Sequence, residues 1–369
     1  YSAVGEPGSL LGGRWSLDAQ VLTLKRDGGP SMVRTSVMPG WRRDLYSSAG
    51  FVTTVDASVL AAFYTYDEYD RPDISGTKRF DGTEMRLFPR GSVEMRYPFV
   101  SYGETSQQII EPKVALSFAP NLKNDVVPNE DSIDVAFDTT TLFMSSRYAG
   151  IDRLDTGAQA TYGVRWAING YKEGAASVFV GQSYRLSEDT DYPSWSGLAT
   201  KKSDYVTRIT FEPAKWLDID YRGRFDSDDG RARVHSLTTM AGTPNLNGYV
   251  NYSFRDQAPS QSRNTIEHSS NMTFGGNLSL GGGWSVSAAH VHAFSSDPGP
   301  RSTVGVLSYN DECLLFQTLL VRDHTDSVTA PNEEEGSTLY FRLVFKNLGE
   351  FKSPNFGSML FGETTTQSK

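Results

Sequence analysis

One cysteine stands in 369 residues, Cys313, so an internal disulfide is excluded and any bridge must reach outside this chain. Histidine is scarce at five, which leaves catalytic and metal chemistry few places to sit. Long apolar runs are missing too. No stretch approaches the roughly 18 uninterrupted apolar residues of a membrane-spanning helix, and mean hydropathy is −0.41. Basic charge is not in surplus: 44 acidic residues outnumber 35 basic ones for a net −9, spread along the chain. That argues against nucleic-acid binding as the main task. The opening Tyr1-Ser2-Ala3-Val4-Gly5 has no charged region leading into an apolar core, so no signal peptide is expected in view and the chain reads as processed or as a fragment.

Aromatic residues make up 12% of the chain and glycines number 34, a mix that suits strands joined by many turns. The dominant periodicity is two, because successive side chains of a strand point to opposite faces. Phe51, Val55, Ala57, Val59, Ala61 and Phe63 fall on one face, against Thr54, Asp56 and Ser58. Leu217, Ile219, Tyr221 and Phe225 alternate with Asp218, Asp220, Arg222, Arg224 and Asp226. The same rhythm sets Ile209 and Phe211 against Arg208, and Phe341 and Leu343 against Arg342. A solvated sandwich tolerates one such strand. Repetition in runs of about 9 to 15 residues fits a transmembrane barrel better, since a tilted spanning strand takes about 9 to 11. About 17 strands are expected, with Trp15, Tyr64, Tyr66, Trp216 and Trp284 as candidates for interfacial girdles. The charged parity, Arg208, Asp218, Asp220, Arg222, Arg224 and Arg342, is expected to face a hydrophilic lumen.

Catalysis finds no support. His290 and His292 share a strand face beside Ser285 and Ser287, but no nucleophile elbow occurs and no nearby carboxylate or thiol completes a metal site. The Asp226–Gly230 run lacks the spacing and terminal Glu of a calcium loop, and Glu333–Glu335 reads as an exposed loop. Neither an enzyme nor a cofactor or metal is expected.

A more specific signal lies in the order Tyr97-Pro98-Phe99, Ile110-Glu111-Pro112-Lys113, Pro128-Asn129-Glu130-Asp131-Ser132, then Arg147-Tyr148-Ala149-Gly150-Ile151-Asp152-Arg153. This resembles the LptD family of lipopolysaccharide-assembly outer-membrane proteins. Tyr309 to Cys313 resembles that family's cysteine-bearing strand, and Val344 to Phe351 its closing strand. The resemblance implies an all-β antiparallel barrel of about 26 strands, of which residues 1–369 would supply the C-terminal portion as one domain, without an N-terminal jellyroll. It implies lipopolysaccharide transport to the outer leaflet, an LptE-like lipoprotein plug, and an LptA-like periplasmic bridge protein meeting the missing domain. It also implies a seam with the run Thr338–Lys346 on one side, and a disulfide from Cys313 to a thiol elsewhere. A general outer-membrane channel or porin is the alternative, sharing the strand pattern but not the motifs.

Residue by residue, Pro112 lacks an N–H for a strand ladder, so Glu111-Pro112 is expected at a break or kink. Arg147, Asp152 and Arg153 carry opposite charges around Gly150 and are expected to pair there, in a structural role.

Overall fold

A computed structural model describes all residues except 71–78, 133–136, 188–191, 260–265, 296–297, 325–335, 347 and 354–369. Nineteen strands are present among the described residues. In order they are β1 (Ser2–Val4), β2 (Arg14–Leu24), β3 (Ser31–Tyr46), β4 (Val52–Asp70), β5 (Arg79–Arg96), β6 (Phe99–Tyr102), β7 (Ser106–Phe118), β8 (Ala158–Gly170) and β9 (Ala175–Arg185). Then follow β10 (Tyr205–Ala214), β11 (Leu217–Phe225), β12 (Ala232–Gly242), β13 (Leu246–Pro259), β14 (Ile266–Gly281), β15 (Trp284–Ala293), β16 (Gly299–Asn310), β17 (Leu314–Asp323), β18 (Gly336–Phe345) and β19 (Gly349–Lys352).

The chain forms two compact units. The first holds Tyr1–Tyr171, Ser177–Arg208 and Arg224–Arg231; the second holds Lys172–Ala176, Ile209–Gly223 and Ala232–Lys369. In the first, β1 to β5, β7 and β8 pair successively and antiparallel. In the second, β12 to β19 do the same. Within each unit, connections alternate between tight turns such as 47–51, 103–105, 243–245, 282–283 and 311–313, and longer crossings such as 119–157. Short turns at one strand end and longer loops at the other are the hairpin rhythm of outer-membrane barrels.

The expected alternation is present and its sense is readable. In β4, Thr54, Leu60, Ala62, Tyr64 and Tyr66 are buried, while Val59 and Phe63 on the other face are exposed. In β5, Arg86 and Phe88 are buried and Met85 and Leu87 are exposed. The exposed face is apolar, as lipid contact requires. This corrects one expectation: Tyr64 and Tyr66 are not girdle residues but inward-facing core, at 0% and 3% exposure.

That core exists because the strands differ in length. β3, β4 and β5 run 16, 19 and 18 residues, whereas β7 and β8 each have 13. At about 3.3 Å per residue, β4 reaches roughly 60 Å, beyond a lipid-facing band of about 25 Å even when tilted. β7 ends with Phe118 opposite Gly91, so the inner faces of β3–β5 continue past it toward the loop end. Residues 119–132 and 137–157 fold back to cover them. Val127 and Leu154 of this segment pack with Met32, Leu60, Ala62, Tyr64, Tyr66 and Phe88.

Two strand-level expectations need amendment. The run Thr338–Lys346 does not end the pairing: β19 covers Arg342 to Phe345 on the side away from β17. Cys313 lies in the tight turn between β16 and β17, exposed, rather than within a strand.

Candidate functional site

Segment 119–157 is held on the inner wall mainly by buried arginines. Arg34 of β3, 3% exposed, donates to Asp131 at 2.7 Å and to Asp152 at 2.5 Å. Arg86 of β5 donates to three backbone carbonyls, Asp152 at 2.6 Å and Lys123 and Asn124 at 3.0 Å. The fork of the guanidinium suits this, since five N–H groups can serve several acceptors at once.

The two carboxylates are knitted together. Asp152 accepts from the amides of Glu130 and Asp131, at 2.8 and 3.1 Å. Asp131 accepts in turn from the amides of Ile151 and Asp152. Burial pushes the Asp152 carboxyl up against the pull of these donors and of Arg34. Asp131, although burial opposes it, is held below its ordinary value by the Asp152 amide and the Arg34 guanidinium. Gly150 is what lets the two strips approach. Its φ is +84°, in the left-handed region, and a Cβ there would stand 2.5 Å from Asp131 Oδ1.

Arg147 anchors a second latch. Buried at 2% exposure, it donates to Asp155 at 3.2 Å, Gln159 at 2.5 Å, Ser183 at 3.1 Å and the Leu142 carbonyl at 3.0 Å. Asp155 also lies 3.6 Å from Arg185 of β9. The pairing expected among Arg147, Asp152 and Arg153 is therefore corrected. Asp152 turns to Arg34 and Arg147 to Asp155, while Arg153 contributes its amide to Ser132 Oγ at 2.9 Å. Residues 147–153 are irregular backbone rather than a strand hairpin.

Beneath the segment, toward the tight-turn end, lies a polar cavity of about 460 Å³. Its walls include Arg42, Asp56, Arg90, Glu94 and Lys113, and residues 140 and 143–146 roof it. Lys113 pairs with Glu94 at 2.9 Å and its ammonium sits 4.2 Å from the Phe143 ring centre. Arg90 donates to Ser58 at 2.8 Å, and Ser92 to Asp56 at 2.5 Å. Three cations, two carboxylates and several hydroxyls facing one space suit a hydroxylated, anionic ligand. Thr54, Asp56 and Ser58 were legible as a polar face; Arg34, Arg86 and Arg90 were missed, although each is a charge on the inward parity of its strand.

The remaining expected residues are spread out. Glu111 is 3.3 Å from Arg96. Contrary to expectation, Glu111-Pro112 is not a break in its own strand: Pro112 sits inside the unbroken β7, paired with Val164 of β8. The break falls in the facing strand between β5 and β6, where the Pro112 carbonyl accepts from Tyr97 N at 3.2 Å. Asp220 pairs with Arg222 at 3.0 Å, with Asp218 and Arg208 half-buried on their strands. Arg224 is buried, bound to Asp204 at 3.2 Å and to the carbonyls of Ser196 and Trp195. It holds the 195–204 stretch. Arg342 donates to Glu350 at 2.8 Å. Glu333–Glu335 lies outside the described residues.

The family model "LptD: LPS transport system D" matches residues 3–284. An LPS-assembly protein LptD of Vibrio cholerae is 24% identical over 249 residues, covering 65% of this chain and 31% of that protein. The Escherichia coli K12 protein of the same name is 28% identical over 172 residues, 44% of this chain and 21% of that one. The chain thus spans about a third or less of these relatives. Among solved structures, the siderophore receptor PirA of Acinetobacter baumannii aligns over 91% of this chain and 62% of its own, with TM-score 0.46 and 7% identity. The copper transporter OprC aligns over 90% of this chain and 60% of its own, with TM-score 0.37 and 12% identity.

Proposed function

The chain belongs to the LptD family, LPS transport system D, and on that premise we propose that it forms part of the wall of a lipopolysaccharide translocon in the bacterial outer membrane. The carrying observation is the cation-lined cavity on the inner face, under a segment latched by the family's own motif residues. A phosphorylated saccharide presents hydroxyls and anionic oxygens, and Arg42, Arg90 and Lys113 offer donors of opposite charge along its path. Acyl chains have no place on such a wall and belong against the apolar outer face. Residues 119–132 and 137–157 cover the inner face of β3–β5 at the loop end, so passage of the saccharide along this wall requires them to yield or the acyl chains to leave sideways.

Arg208, Asp218, Asp220, Arg222 and Arg342 remain the positions proposed to meet saccharide or an LptE-like lipoprotein. Arg224 is withdrawn from that set because its donors are committed to residues 195–204. Cys313, exposed in its turn, is open to a thiol of a preceding segment, and an LptA-like protein would dock there too.

Charge reversal tests the reading. Arg90→Glu with Lys113→Glu changes the cavity from three cations and two carboxylates to one and four. Like-charge juxtaposition costs several kcal/mol, so delivery of lipopolysaccharide to the cell surface is expected to fall at least about tenfold. Undiminished delivery by a correctly inserted double variant would contradict the proposal.

A further inference from the structure

All five histidines of the chain lie in the second unit, at the loop ends of their strands and on the exposed apolar face. Strand pairing fixes the face, since directly paired residues share one. His235 pairs with Phe254, His290 with Phe274 and Thr303, and His292 with Met272. His268 falls two residues before Ser270, the partner of Phe254, and so on that face as well. On the same parity toward the tight turns stand Val250, Leu278, Val286 and Leu307, all exposed. The opposite parity carries the buried Leu319 and Val321.

The histidines form two groups along this face. Tyr221 Oη lies 2.6 Å from His235 Nδ1, and Phe254 sits between the rings of His235 and His268 at 5.9 and 6.3 Å. His290 is 6.2 Å from His292 and 6.1 Å from His324. Thr303 Oγ1 bridges His290 Nδ1 at 2.8 Å and His324 Nε2 at 3.0 Å. Arg322, exposed, pairs with Thr303 across the strands and so shares this face.

A hydroxyl with one proton and two lone pairs can donate to one imidazole and accept from the other, or accept from both when both are charged. The bridge therefore survives protonation. Two charged rings about 6 Å apart repel each other, and an anion beside them removes the repulsion. At the tight-turn end the girdle is of the ordinary kind, Trp284 against Tyr309 at 4.9 Å. Imidazole replaces indole only where the loops emerge. Among the described residues no three His, Cys, Asp or Glu side chains converge to hold a metal ion, which removes that explanation.

We propose that this histidine row seats phosphomonoester headgroups of outer-leaflet lipids against the outside of the wall, centred on His290, His292, His324 and Arg322. A phosphomonoester carries about 1.5 to 2 negative charges near neutrality, enough for more than one imidazolium, where a zwitterionic diester offers less. This rests on the outer-membrane reading but concerns the outer surface, not the conduit.

The test uses the whole protein of which this chain is part, with its membrane partners, in nanodiscs of phosphatidylcholine with or without phosphatidic acid. Native mass spectrometry counts the lipids retained. Phosphatidic acid is expected to be kept in preference, and the triple variant His290→Gln, His292→Gln, His324→Gln to lose that preference about tenfold. Glutamine keeps hydrogen bonding without charge, so the fold is preserved, and heat-shifted gel mobility reports insertion separately. Equal retention of both lipids, or an unchanged preference in the triple variant, overturns the proposal and leaves the translocon reading standing. Displacement of phosphatidic acid by equimolar inorganic phosphate also overturns it, by showing a free-anion site.

Discussion

Asp152→Asn probes the latch at its centre. The carboxylate has no exposed surface and accepts from the amides of Glu130 and Asp131 and from Arg34. Asparagine keeps the shape but turns one acceptor into a donor, leaving a buried N–H against N–H at a cost of about 1–3 kcal/mol. It also strips Arg34 of its fully buried counter-charge, leaving only Asp131, and breaking a buried pair costs about 3–5 kcal/mol in all. Opening of residues 119–132 and 147–157 should become easier by that amount, or roughly two to four powers of ten in hydrogen-exchange rate, up to the limit set by global unfolding. The assay is exchange measured by mass spectrometry on the whole protein in detergent micelles. Protection in peptides of β12–β18 should be unchanged. Unaltered exchange in 119–132 would refute the assignment of Arg34–Asp152 as the anchor. Arg34→Met with Asp152→Leu should not recover the protection, because leucine cannot accept from the amides of Glu130 and Asp131 and the Asp131 carboxylate loses its guanidinium partner.

Gly150→Ala should loosen the same peptides, by about 1–3 kcal/mol from the left-handed backbone, and more from collision with Asp131; exchange equal to wild type would show the turn is not required. Arg224→Ala should raise protease cutting within residues 186–204 while leaving β12–β18 protected, and uniform sensitivity across the chain would count against a local role. Asp311 is held below its ordinary value by the Tyr309 hydroxyl and the amides of Cys313 and Leu314. A depressed carboxyl contributes stability above its ordinary pKa of about 4, lost as pH falls through the folded value. The emission of Trp284, which packs on Tyr309, should therefore shift below about pH 4 and already at neutral pH in Asp311→Asn; a pH-independent emission difference between wild type and Trp284→Phe would contradict this. Once reduced, Cys313 should react with a membrane-impermeant maleimide in detergent without denaturant, and a reduced thiol blocked until unfolding would mean that its turn is covered.

Much of the wall was legible because a strand writes its two faces into alternate residues. Thr54, Asp56 and Ser58 facing in, with Val59 and Phe63 facing out, needed only period two. Pro112 pointed to a break because it lacks an N–H, but the ladder yields in the facing strand, between β5 and β6, and not in β7. Tyr64 and Tyr66 misled because aromatics at a strand end look alike whether they meet a membrane interface or a core. What decides between those is residues 119–157, which arrive from far along the chain. Arg34 meets Asp152 across 118 residues and Arg86 meets it across 66, and no local periodicity records such a pairing. The motif charges were expected to pair with one another, because Arg147, Asp152 and Arg153 are neighbours in sequence. Gly150 in a left-handed turn sends them to different walls instead. The histidines looked unpromising for the same reason, being spread over 90 residues yet brought to one edge of a sheet by register.

The most direct test of the central claim places a photo-crosslinking residue in turn at Ser92, Val93, Glu94 and Met95 of β5 in the whole protein, in living cells. Positions 92 and 94 line the inner cavity, and 93 and 95 are exposed on the apolar face. Adducts with lipopolysaccharide that retain the saccharide through its crosslink should appear at 92 and 94 and not at 93 and 95. Equal labelling at all four positions, or none at 92 and 94 in a barrel that shows heat-shifted mobility, would contradict a saccharide path along this wall.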